Sequence, residues 1–122
     1  MSNTVSLQAT IGWTDNIQGS VSATGSKSVT QVGAAASLVV QVVGTTTEQL
    51  VFPADSVTPG YLFLKNLDAT NYVEFDLNTP VAGTAFAKLK AGEFLLLPTT
   101  QTTIYGKANT GACNVQICVM PL

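Results

Sequence analysis

The chain has 122 residues, a net charge of −2, five Lys with no Arg, and no His. One core can form at this length without disulfides or a metal, and the missing guanidinium forks and basic stripe argue against nucleic acid as a partner. Hydrophobic residues make up 46% and charged ones 10%, yet no apolar run reaches the eighteen or so residues of a membrane helix, so a soluble protein without a membrane partner is expected.

The opening, MSNTVSLQAT, has no basic stretch followed by an apolar one. A secretory signal is therefore not expected, and the protein should be made in the cytosol and stay there until lysis. Val5, Leu7 and Ala9 alternate with Thr4, Ser6, Gln8 and Thr10 as a first strand. Residues 19–33 carry Val21, Ala23, Val29 and Val32 among small polar residues, a pattern that allows two short strands around Thr24-Gly25-Ser26. In residues 34–44 the alanines permit a helical turn, but Val39, Val40, Val42 and Val43 are β-branched on both parities and favour a strand buried on both faces.

Residues 47–53 read as a short strand ended by Pro53, and Pro59-Gly60 marks the turn of the loop that follows. YLFLKNL (61–67) and NYVEFDL (71–77) are separated by Asp68-Ala69-Thr70, a connection that predicts an antiparallel hairpin. Further strands follow at 84–90, 93–98 and 102–108, and the last is ACNVQICVM (112–120). Nothing shows sustained helical periodicity. Eight to ten short strands arriving about every ten residues predict an all-β fold, an antiparallel β-sandwich of jelly-roll or other Greek-key topology. The expected organisation is one domain over 1–122, with residues 1–12 as an assembly arm. Trp13 precedes both cysteines, so the Cys-Trp-Cys order of immunoglobulin domains is missing.

Chemistry has few residues to work with. Glu74 and Asp76 share a strand face about 7 Å apart, a spacing a glycosidase can use, but a hairpin's solvated face is the simpler reading. Asp15-Asn16, Asp55 and Asp68 sit in expected loops and offer oxygen ligands for calcium, without EF-hand spacing; turn roles fit them better. GTTTEQ and TGSKS hold letters of a phosphate loop in the wrong order. Cys113 and Cys118, five apart on one strand, point to opposite faces and cannot bridge each other. With no imidazole to activate them and too few ligands for zinc, they read as packing residues. The chain is expected not to be an enzyme and to need no cofactor or metal. Trp13, Tyr61, Tyr72 and Tyr105 remain as binding-surface candidates.

From Tyr61 onward, YLFLKNLDATNYVEFDL and then FAKLKAGEFLLLPTTQTTIYGKANTGACNVQICVMPL resemble the structural proteins of tailed bacteriophages. There a strand ending in KNL is followed by TNYVE, a LKAGE turn, a Pro-ended strand, an IYGKAN-like strand and a short last strand. The resemblance implies a β-sandwich building block of the virion. A capsid-decorating, or cement, protein is one assignment, and a tail, baseplate or fibre component is another. Implied partners are further copies of the chain and virion proteins such as the major capsid protein, and the implied location is the virion. The low charge density suits a surface covered by neighbours, where each buried charge would need a partner. Interface candidates are Val5, Leu7, Trp13, Tyr105, Val119, Met120 and Leu122. A carbohydrate-binding module stacking sugars on Trp13 or Tyr105 is the alternative from another class.

Overall fold

The computed structural model describes residues 3–15, 17, 19–31, 37–52, 59–80 and 84–121. These residues are all β, with antiparallel pairing throughout and no helix among them. The chain divides into two compact units, Met1–Gly33 and Ala34–Leu122.

The first unit is a two-stranded ribbon of β1 (Asn3–Asp15) and β2 (Gly19–Gln31), paired in unbroken register from Asn3 opposite Gln31 to Asp15 opposite Gly19. Thirteen residues per strand make it about 40 Å long. Gly19, at φ 89°, supplies the left-handed residue where the chain reverses. The two short strands that the pattern allows in 19–33 are instead the single strand β2. Gly25 adopts no positive φ and sits extended opposite Ala9, so the continuous β1 ladder carries the backbone straight through it. Val32 and Gly33 lie outside the described residues.

The second unit holds two four-stranded sheets. The first is ordered β3 (Ser37–Val43), β10 (Cys113–Pro121), β5 (Pro59–Asn66), β8 (Phe94–Pro98); the second β4 (Glu48–Gln49), β9 (Tyr105–Ala108), β6 (Val73–Asp76), β7 (Ala87–Leu89). They share one core. Val43, Leu62, Leu64, Val115, Ile117 and Val119 come from the first sheet, and Val73, Phe75, Leu89 and Ala108 from the second. Burial of each Val, Leu, Ile or Phe side chain among them contributes about 1.5–3 kcal/mol. Phe75 lies over Gly106, its cross-strand partner, where an added Cβ would stand 3.3 Å from the ring; the glycine makes room for the largest core side chain. Gln41 ties β3 to the β4 edge: its Nε2 donates to the Gln49 carbonyl at 3.1 Å and its Oε1 accepts from Val51 N–H at 2.8 Å.

The expected hairpin of 61–67 with 71–77 does not form. β5 pairs with β10 and β8, whereas β6 pairs with β7 and β9 in the other sheet. A corner takes the place of the hairpin turn, and Asn66 builds it. Its fully buried amide donates to the Asn71 carbonyl at 2.8 Å and the Leu89 carbonyl at 3.0 Å, while its Oδ1 accepts from Asp68 N–H at 2.9 Å. Asp68 continues the turn by accepting from Thr70 N–H at 3.0 Å and Asn71 N–H at 2.6 Å. These bonds lead the chain off one sheet and onto the other. Both strands can then turn their apolar side to the same core, which is where Leu62, Leu64, Val73 and Phe75 are found.

Candidate assembly surfaces

Parity along the strands decides which side chains face out. On the first sheet the inward set is largely apolar, with Asn66 and Gln41 as polar members, but so is most of the outward set. Val40, Gln116, Lys65 and Phe94 form one row across the four strands; Leu38, Cys118, Phe63 and Leu96 form the next; Met120, Tyr61 and Pro98 form a third. Leu38 is 63% exposed, Val40 58% and Phe94 61%. The Phe63 and Phe94 rings stack at 5.9 Å between centroids. With strands about 4.8 Å apart, this is a patch roughly 20 Å on a side, large enough to mark a docking surface. Lys65 and Gln116 are the polar groups in the middle of it.

β3 was expected to be buried on both faces. Val39 and Val43 do pack on the core, but Val40 and Val42 are exposed, because no described segment of the second unit lies over them. The sequence has β-branched residues on both parities, and the fold covers only one.

The second sheet faces out differently. Glu74 stands between Lys88 on β7 and Lys107 on β9, and Asp76 is opposite Tyr105. The Lys88 ammonium lies 4.0 Å from the centroid of the Tyr72 ring. Glu74 and Asp76 thus belong to an alternating charged face with lysines on both sides of Glu74. This is the wet side of a sheet, as the simpler reading had it, although of a sheet and not of the expected hairpin.

Asp68 is a turn residue. The backbone N–H groups of Asn71 and Thr70 bind its carboxylate and lower its pKa. Asn16 and Asp55 lie outside the described residues, and so does the side chain of Asp15. Among the described residues, no three metal-binding side chains come together. Cys113 and Cys118 do point to opposite faces of β10. Burial raises the pKa of both thiols, Asp68 adding to the effect at Cys113, which favours the protonated form of each. The Cys113 thiol points at the carbonyls of Gly111 and Tyr72, at 3.6 and 3.9 Å.

The interface candidates scatter. Trp13 is half exposed on the ribbon, where Leu7 is half-buried and Val5 buried. Met120 is in the outer patch, but its neighbour Val119 is fully buried in the core because adjacent strand residues face opposite ways. Tyr105 is half-buried on the charged sheet, and Leu122 lies outside the described residues. Sequence reasoning missed Leu38, Val40, Phe63, Phe94 and Leu96. Their signal was present in LVVQVV, YLFLK and EFLLLP, three strands apolar on both parities. No family model matches the chain, and neither the curated proteins nor the solved structures include a match to it.

Proposed function

We propose that the chain is a non-enzymatic structural subunit of a tailed-phage virion, a capsid decoration protein that docks onto the shell and stabilises it. The observation that carries this reading is the apolar outer face of the β3-β10-β5-β8 sheet. An antiparallel sheet with one free side normally alternates apolar in and polar out, so a face that breaks the rule over four strands needs a cover. The partner is expected to present an apolar surface with an acceptor for Lys65 and Gln116, since a desolvated ammonium without one would oppose binding.

Two further features favour the virion. The chain crosses between sheets at every connection of the second unit except β6 to β7, and we read the resulting order as a jelly roll, an architecture that recurs in capsid proteins. The phrasing from Tyr61 onward also resembles tailed-phage structural proteins. The mechanism is mass action: a ligand at a hundred times its Kd stabilises what it binds by about 2.7 kcal/mol. Mixing the purified protein with capsids that lack it tests the reading. Saturable binding and raised shell stability are expected, with both lost in Val40→Glu. Binding to isolated tails instead would move the subunit to the tail, baseplate or fibre, and failure to bind either particle would end the virion reading.

A further inference from the structure

The ribbon poses a separate question. A two-stranded ribbon is marginal in water unless something packs on it, and this one is sharply two-sided. One face is Ser and Thr almost throughout, with Thr10 and Thr24 joined Oγ1 to Oγ1 at 3.3 Å. The other carries Leu7, Ala9, Ile11 and Trp13 of β1, opposite Lys27, Gly25, Ala23 and Val21 of β2. Ile11 is 75% exposed, Val21 62% and Trp13 49%.

The relief of that face indicates what covers it. Ile11 and Trp13 on β1 face the smaller Ala23 and Val21 on β2, so over these two rungs the surface has a ridge along one strand and a trough along the other. We propose that a second copy of this chain covers it, the two ribbons packing face to face about a two-fold axis that runs lengthwise between them. That symmetry lays β1 of each copy over β2 of the other and seats each ridge in the facing trough: Ile11 over Ala23, and Trp13 over Val21. A two-fold across the ribbons would stack ridge on ridge and leave the troughs empty. Aligned sheets splay by about 30°, and the crossing falls at the small rungs, Ala9 with Gly25 and Ile11 with Ala23, beside the shallow depression those residues line.

Charge agrees with this packing. Lys27 is the charged residue in the exposed rungs. In this arrangement its aliphatic stem covers Leu7 of the other copy and its ammonium reaches water at the ribbon's edge. The two Lys27 lie on opposite edges, about a Debye length apart at physiological salt, where their repulsion is weak. The contact is isologous, so it closes at two copies. It is also small, about 20 Å by 10 Å on each ribbon against about 800 Å² per partner in a standard interface, so the dimer should be weak and concentration-dependent. The inference concerns a different surface from the sheet face and holds whatever that face binds.

Sedimentation velocity of the purified full chain over a wide concentration range should show a monomer passing to a dimer. The double variant Ile11→Thr with Trp13→Thr keeps β-forming residues and should move the midpoint at least tenfold upward. A second experiment does not depend on how that variant folds. Chains carrying Ile11→Cys and chains carrying Ala23→Cys, both with Cys118→Ser, are mixed and oxidised, and the mixed disulfide should exceed either homodimer. A monomer at every concentration would overturn the proposal. So would a dimer that survives the ribbon substitutions but is broken by Val40→Glu, since the self-contact would then lie on the sheet face. Loss of capsid binding without loss of the dimer would count against the decoration reading alone.

Discussion

The two sheets of the second unit have nearly interchangeable inner faces and opposite outer ones. Inside, Leu64 and Ile117 of one sheet and Val73 and Phe75 of the other meet in a single core. Outside, one sheet presents Glu74, Lys88 and Lys107, the other Val40, Phe63 and Phe94. Stability accounts for the inner faces and water for the charged one. Neither explains four strands of exposed apolar side chains, and that difference between the outer faces is why the proposed docking surface is the first sheet.

Breaking what the sheets share should have the largest effect. Phe75→Ala removes the largest fully buried side chain and is expected to cost about 3–5 kcal/mol, read as a lower denaturation midpoint with an unchanged slope. Asn66→Ala comes next. It leaves the Asn71 and Leu89 carbonyls without their buried donor, and a loss of about 3 kcal/mol is expected. The effect should exceed that of Asn71→Ala, whose side chain bonds the exposed Thr110 hydroxyl and the Asp68 carboxylate and leaves no buried carbonyl without its donor.

These corner bonds also show where sequence reading stops. Alternation in ACNVQICVM is visible by eye, and the buried and less buried positions of β10 follow it residue by residue. The hairpin expected at 61–77 failed because Asn66 looks like any polar residue before a turn. Its partner at Leu89 is 23 positions away, a contact that no local pattern carries. The break that the pattern allows at Gly25 is absent for the same reason, since what straightens it is Ala9 on the facing strand. The apolar outer face is an intermediate case: LVVQVV was legible as apolar on both parities, but only the fold shows that nothing in the described second unit covers its outer side.

Exchanging the character of the outer faces should change binding far more than stability. Val40→Glu and Glu74→Val are both surface substitutions on strands, and each should move the unfolding free energy by no more than about 0.5 kcal/mol. Only the first should abolish capsid binding. If Glu74→Val abolished it instead, the charged sheet would be the docking face and the assignment would reverse. Cys118 gives an independent readout from the wild-type chain, because it lies in the outer patch between Leu38 and Phe63. Its slow reaction with maleimide should become slower still on the shell, while Cys113 should stay unreactive with or without it.

The smallest effect lies at the corner between the sheets. The N–H groups of Asn71 and Thr70 hold Asp68 in its charged form, so its pKa is lower in the folded chain than in the unfolded one. The stabilisation is therefore complete above the unfolded value and fades as the pH falls through the folded one, a window below about pH 4. Asp68→Asn keeps an oxygen that can accept from the same two N–H groups but cannot titrate. Its urea midpoint should sit slightly below wild type at pH 7, and the two should converge as the pH drops toward 2. Parallel curves down to that pH would mean that the turn does not hold the carboxylate in solution, and the weight of the corner would then rest on Asn66.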